Sequence, residues 1–199
     1  MAKRLHKLSE KDPKSFLKEV ILSKEVISEN NIQKILDAFE TVVYDKNHQI
    51  IKDGDLTDYM YFIAKGLVRV YYYKSNKEII DWFAEEGTFF GNLYSHITRK
   101  PGLDIYEAME DVVLLRIKYS ELERLYMQSH EIESLARKIM QQYYVTYVER
   151  VHNLRALPSE KKYESFVKYY APIMNRIPLK YVASYLGITA ETLSRIRAK

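Results

Sequence analysis

The chain has 199 residues, 47% hydrophobic and 29% charged, with 31 Lys+Arg against 27 Asp+Glu and no cysteine. The lack of cysteine excludes disulfides, a thiolate nucleophile, a cysteine-ligated zinc and an iron–sulfur cluster. No apolar run approaches the roughly 18 residues that span a bilayer, and the basic start Met1–Lys7 leads into polar sequence unlike a signal peptide, so a soluble cytoplasmic protein is expected.

The net charge of +4 hides an asymmetry. Residues 1–136 hold 19 Lys+Arg and 23 Asp+Glu, whereas residues 137–199 hold 12 and 4. A basic C-terminal third on an acid-leaning remainder suggests a polyanionic partner, nucleic acid first.

In chain order, residues 13–27 read as a short helix, and Ile32, Ile35, Leu36 and Phe39 form the apolar face of a second. From about Thr41 to Ile117 the pattern is that of strands. Tyr59–Ile63, Leu67–Tyr73, Ile79–Phe83 and Val112–Ile117 alternate apolar and polar residues and are rich in β-branched and aromatic types. Turn residues separate them, with Gly54, Gly66, Gly87 and Gly91 among these. Short strands at this spacing predict an antiparallel sandwich or barrel.

After Lys118 the period becomes helical. Ser120 is expected to cap a helix through about Met127, followed by a long helix from about Glu131 to Leu154. It carries two apolar stripes. Ile132, Leu135, Ile139, Tyr143, Tyr147 and Leu154 form one, and Met140, Tyr144, Val148 and Val151 the other. Two apolar faces require two packing surfaces, here the β domain and a second copy of the helix. A hinge is expected near Arg155–Ser159, with Ser159 capping a helix of about Glu160–Ala171 that Pro172 ends.

The sharpest local signal is Leu179–Ala198. Ala183 precedes Gly187 by four residues and Leu193 follows it by six. A small residue lets two helices cross closely, glycine takes the positive-φ turn, and an aliphatic side chain fills the shared core of a helix-turn-helix. Val182, Leu186, Ile188 and Ile196 complete the apolar set, and Thr189 is the expected N-cap. The face left for DNA comprises Lys180, Thr189, Ala190, Glu191, Thr192, Ser194, Arg195 and Arg197. Arg195 can donate two hydrogen bonds to a guanine or grip a phosphate, Glu191 can accept from cytosine, and Thr192 or Ser194 can reach a phosphate.

From about Ile35 to Lys199 the chain resembles the CRP/FNR family of bacterial transcription regulators. The carriers are Ile51-x-x-Gly54-Asp55, Tyr59–Ile63-x-x-Gly66-x-Val68-x-Val70, Gly87-Thr-Phe-Phe-Gly91-x-Leu93 and Gly187–Arg195. The compact, wing-poor form is similar to regulators of the Bacteroidetes lineage. The resemblance implies an α+β fold: an N-terminal antiparallel β-roll (double-stranded β-helix or jelly roll) with flanking helices over 1–130, a long dimerisation helix over 131–157 and a helix-turn-helix domain over 158–199. The implied partners are double-stranded DNA, a second copy of the chain and RNA polymerase, with no membrane.

Ile132, Leu135, Ile139 and Tyr143 are assigned to the dimer, and Gly91, Asn92, Leu93, Tyr94, Arg99 and Tyr147 to the effector pocket. Relatives that bind cyclic AMP carry a glutamate for the ribose where Asn92 stands, and an Arg-Ser/Thr-Ala stretch where Gly102-Leu103-Asp104 stands. Asp104 would repel a phosphate, so cyclic AMP is not expected, no cofactor is expected, and an unidentified small-molecule effector is left open. Ala190 replaces a frequent arginine and no wing follows before Lys199, which predicts weaker DNA binding that depends on dimerisation and salt.

The alternative is a ligand-binding or protein-interaction module with a degenerate helix-turn-helix. No catalytic or metal site is expected: His6, His48, His96, His130 and His152 are scattered, and Glu85-Glu86, Asp53/Asp55 and Ser95-His96 read as turn and surface residues.

Overall fold

The computed structural model describes residues 12–198. The basic start with His6, and Lys199, lie outside them. Helix α1 (Pro13–Lys24) is shorter than expected. Asp12 accepts from the Ser15 N–H at 3.0 Å, and Pro13 occupies the first turn, where its missing N–H costs nothing. Helix α2 (Glu29–Ala38) buries Ile32, Ile35 and Leu36.

Eight strands then form two antiparallel four-stranded sheets. Strands β1 (Glu40–Tyr44), β3 (Tyr59–Lys65), β6 (Phe89–Phe90) and β8 (Val112–Lys118) make one, in the order β1-β8-β3-β6. Strands β2 (Gln49–Ile51), β4 (Val68–Lys74), β5 (Lys77–Ala84) and β7 (Ile105–Ala108) make the other, in the order β2-β7-β4-β5. The short helix α3 (Leu93–Thr98) links β6 towards β7.

The sequence pattern predicts strands with one wet face, but β3 and β4 are covered on both. Tyr61, Ile63, Val68, Val70, Tyr106 and Leu114 pack between the sheets. The next residues along the same strands, Phe62, Ala64, Leu115 and Ile117, pack outward on α1, α2, α4 (Tyr119–Gln128) and the first turns of α5 (His130–Ala156). Odd and even positions thus serve different cores, because successive side chains point to opposite faces.

The outer face of the second sheet is covered by the C-terminal helices: α6 (Ser159–Tyr169), a 3-10 turn (Met174–Arg176), α7 (Leu179–Leu186) and α8 (Ala190–Arg197). A bulge in β5 makes this docking surface. Val70 pairs with Trp82 but Tyr71 pairs with Ile80, so Asp81 is the extra residue. Without that insertion Ile80 and Phe83, three apart, would face opposite ways. With it both join Tyr71 and Ile105 against the C-terminal helices.

Gly66 sets the tight β3–β4 turn. Its φ is +103°, and a Cβ there would lie 2.6 Å from Val112 Cγ1 and 2.8 Å from the Asp111 carbonyl. Helix α5 has 27 residues, about 40 Å of helix, and stops where Leu157 turns extended before Pro158. Three boundaries differ from expectation. Helix α4 begins at Tyr119, so Ser120 caps nothing. Ser159 is the first residue of α6, with Pro158 as its N-cap. Helix α6 ends at Tyr169, before Ala171, as Phe166 and Tyr170 turn into the core. No helix among the described residues is long and apolar enough to cross a membrane.

Candidate nucleic-acid interface and effector cassette

Helices α7 and α8 meet at a tight corner. Gly187 takes φ +66°, its N–H reaches the Ser184 carbonyl and the Ile188 N–H reaches the Ala183 carbonyl, a Schellman closure that needs a left-handed residue. Thr189 caps α8 by accepting from the Thr192 N–H at 3.2 Å. Ala183, Leu186 and Leu193 are buried together, which turns the opposite face of α8 outward.

Thr189, Ala190, Glu191, Ser194, Arg195 and Arg197 are exposed there, with Lys180 at the start of α7 over the Tyr181 ring. Thr192 is half-buried, its hydroxyl 3.2 Å from that of Thr189. Hydrogen bonds accepted from its own N–H and from the Thr189 hydroxyl hold the Glu191 carboxyl below the usual carboxylate range. The α8 N-terminus therefore presents a fixed negative charge, while Arg195 and Arg197 are positive one and two turns on.

This unit is clamped to the second sheet. The Ser184 hydroxyl accepts from the Ile80 N–H and donates to the Glu78 carbonyl, both at 3.0 Å, which joins α7 to β5. Arg176 grips Glu86 through two bonds of 2.9 Å and also reaches Glu110. Burial alone would raise the Glu86 carboxyl, but Arg176 holds it below its ordinary value. Beneath them Arg69, buried in β4, bonds Glu107 at 2.9 Å and pairs with Glu78, and the rings of Tyr71 and Tyr181 each lie 4.4 Å from its guanidinium. Burial opposes the Arg69 charge, and the two carboxylates outweigh it.

The expected effector residues are only partly brought together. Gly91–Tyr94 form the β6–α3 junction. A Cβ on Gly91 would meet the Tyr119 hydroxyl at 2.5 Å. Asn92 is buried as the α3 N-cap, its Oδ1 accepting from the Ser95 N–H at 3.0 Å while its Nδ2 has no hydrogen-bond partner. Leu93 and Tyr94 are exposed.

Arg99 lies on the surface in a left-handed conformation, 4.0 Å from Asp58. Tyr147 is on α5, its ring under the Arg150 guanidinium. Paired backbone bonds between Gly54, Asp55 and Gly102 hold the following loop over the cassette, and a Cβ on Gly102 would run into the Asn92 amide. The space between the sheets holds a stack of rings, with Phe90 5.1 Å from Tyr61 and 5.5 Å from Tyr106.

On helix α5 the residues assigned to the dimer pack within the chain. Ile132 and Leu135 are 2% and 3% exposed, and Ile139 packs against the same core. The Tyr143 hydroxyl accepts from the Phe89 N–H at 2.8 Å. These four pack α5 on its own β domain, Ile132 and Leu135 completely and Ile139 and Tyr143 half-buried. The other stripe is open, with Met140 49% and Tyr144 67% exposed and Tyr147 and Val148 beside them.

Two smaller readings also change. Glu86 is an ion-pair partner, and Ser95 is buried, bonded to the Asp55 carbonyl. Arg69, Glu107, Arg150, Arg176 and Ser184 escaped the sequence reading. The one available signal was a charge inside an apolar strand run, as in Leu67-Val-Arg-Val and Ile105-Tyr-Glu-Ala.

Comparison with known proteins follows this geometry. Residues 41–129 match the family model described as the cyclic nucleotide-binding domain. No curated protein matches the chain. FixK2 from Bradyrhizobium japonicum shares the fold at 19% identity and a TM-score of 0.69, over 80% of this chain and 83% of that one. The c-di-GMP responsive global regulator CLP from Xanthomonas campestris does so at 16% and 0.69, over 86% and 90%. A CooA mutant from Carboxydothermus hydrogenoformans does so at 17% and 0.66, over 89% and 81%. The β-rich domain of cyclic-nucleotide-binding type is therefore shared with these proteins together with its helical additions.

Asp104 yields a test of the cassette electrostatics. Burial first, then the Asp81 carboxylate, push its pKa up to about 6, against the pull of Arg150. The folded chain thus binds this proton more tightly than the unfolded one, so stability falls as pH rises from about 4 through 6. Asp104→Asn should stabilise the protein by about 1–2 kcal/mol at pH 7, with the gain vanishing near pH 4. Urea unfolding at the two pH values measures it, and an equal gain at both would contradict the assigned cause.

Proposed function

We propose that the chain is a dimeric, non-enzymatic, sequence-specific DNA-binding transcription regulator of CRP/FNR type. In this reading α7 and α8 are the helix-turn-helix, α8 lies in the major groove, and the exposed stripe of α5 pairs with its counterpart in a second copy. The single observation that carries it is the outward face of α8, where Thr189, Ala190, Glu191, Ser194 and Arg195 are exposed on a helix anchored through Leu193. The cyclic-nucleotide-binding fold that precedes it, and the likeness in fold of 86% of this chain to the regulator CLP, support the same reading. RNA polymerase is the further partner this class implies, and the cytoplasm the compartment.

Selection from a random DNA pool followed by gel shift tests the reading. Arg195→Ala should weaken the selected site by about 10- to 100-fold, the loss of one bidentate base contact, with the melting temperature unchanged. Undiminished specific binding would remove α8 from the reading role, and a pool that yields no motif would favour the protein-interaction alternative.

Dimerisation through the open stripe is tested by Tyr144→Glu. A carboxylate in the centre of an apolar helix seam should give a monomer by sedimentation, whereas a persistent dimer would place the contact elsewhere.

Cyclic AMP is not the effector in this reading. Asn92 is committed to capping α3, and Gly102 leaves no room for the side chain that would neutralise a cyclic phosphate. Calorimetric titration with cyclic AMP should give no saturable heat, and micromolar affinity would overturn the claim.

A further inference from the structure

A cleft of about 390 Å³ lies at the seam between α5 and the C-terminal unit. It is within the size range of small-molecule sites. Its walls come from three elements: Arg150 and Asn153 on α5, Lys162 and Tyr169 on α6, and Tyr185 on α7. It is far from neutral. Arg150, Lys162 and Lys168 line it against the single carboxylate of Glu149.

The cations have capacity to spare. Arg150 spends two N–H groups on Asp81, one on the carbonyl at 2.6 Å and one on the carboxylate at 3.3 Å. A guanidinium has five, so three remain. Lys162 is half-buried in the wall, and neither it nor Lys168 has a carboxylate partner among the described residues. A half-buried ammonium that lines the same cleft as a guanidinium with donors to spare, against one carboxylate in the wall, is an arrangement that an anion relieves. The remaining wall is aromatic. Burial raises both phenols, that of Tyr185 up to about 12, so both stay neutral donors at physiological pH.

We infer that this cleft binds a small organic anion carrying a flat ring, its carboxylate or phosphate between Arg150 and Lys162 and its ring against Tyr169 and Tyr185. Charge alone would take inorganic phosphate, and apolar surface alone a neutral ring. The two together, lining one cleft, select a ligand that has both. Because the walls belong to α5, α6 and α7, a bound ligand ties the long helix to the C-terminal unit. The site does not rest on the DNA-reading proposal, and its test contains no DNA.

The experiment is calorimetric titration of the full chain with guanosine 5′-monophosphate and indole-3-acetate, two ring-bearing anions whose phosphate and carboxylate distinguish the source. Guanosine and inorganic phosphate serve as the ring-only and charge-only probes. At least one ring-bearing anion should bind saturably, more than 10-fold tighter than either partial probe. Lys162→Glu should weaken it at least 10-fold, Lys162→Arg should retain it, and Ser165→Trp, which fills the cleft, should abolish it, all with unchanged circular-dichroism melting. The inference is overturned if neither anion binds, if a partial probe binds as well, or if binding survives Lys162→Glu and Ser165→Trp.

Discussion

The structure depends on one packing event, the docking of the C-terminal helices onto the outer face of the β2-β7-β4-β5 sheet. Phe166 and Tyr170 are almost completely buried against Phe83, with Tyr170 5.4 Å from it, and the Tyr170 hydroxyl accepts from the Phe83 N–H. Burial of each such aromatic contributes roughly 1.5–3 kcal/mol, whereas in the largely buried Arg176–Glu86 pair the attraction is offset by the lost hydration of both charges. Apolar area therefore holds the unit down, and the polar groups decide where it sits. Ser184 can satisfy both Ile80 and Glu78 in one register only, and Arg69 stays charged in the sheet because Glu107, Glu78 and Tyr181 surround it.

The β5 bulge links this docking to the long helix. Asp81 leaves the ladder and is turned to Arg150 of α5, and the alternation shifts by one so that Ile80 and Phe83 share a face. One inserted residue thus brings sheet, helix and C-terminal unit to a common point. The charge-rich cleft opens beside that point, whereas the interior of the β-roll is filled by Tyr61, Phe90 and Tyr106.

Helix α5 shows the limit of periodicity as a guide. Both apolar stripes follow from the spacing, but they are equivalent as patterns. Only the tertiary contacts of Ile132, Leu135 and Tyr143 with the β domain show which stripe is spent within the chain and which, from Met140 to Val148, remains open.

By itself the sequence determined strands β3, β4, β5 and β8 of the β-roll, the length of α5 to within a few residues, the break at Leu157–Pro158 and the corner at Gly187. Each follows from local rules, namely side-chain period, proline sterics and the positive φ that glycine accepts. The exposed face of α8 was legible for the same reason, since Leu193 and Ala183 fix its orientation. Tertiary structure alone decided that Asn92 is a buried cap, that Arg99 faces solvent, that Gly102 closes over the cassette, and that Arg69, Arg176 and Ser184 join the two parts of the chain. The pairings of Arg69 with Glu107, Arg176 with Glu86 and Ser184 with Ile80 link residues dozens of positions apart. They are set by the burial of apolar area and by the need to pair each charge taken out of water, and the local sequence marks the charge, as at Arg69 in its apolar run, without naming its partner.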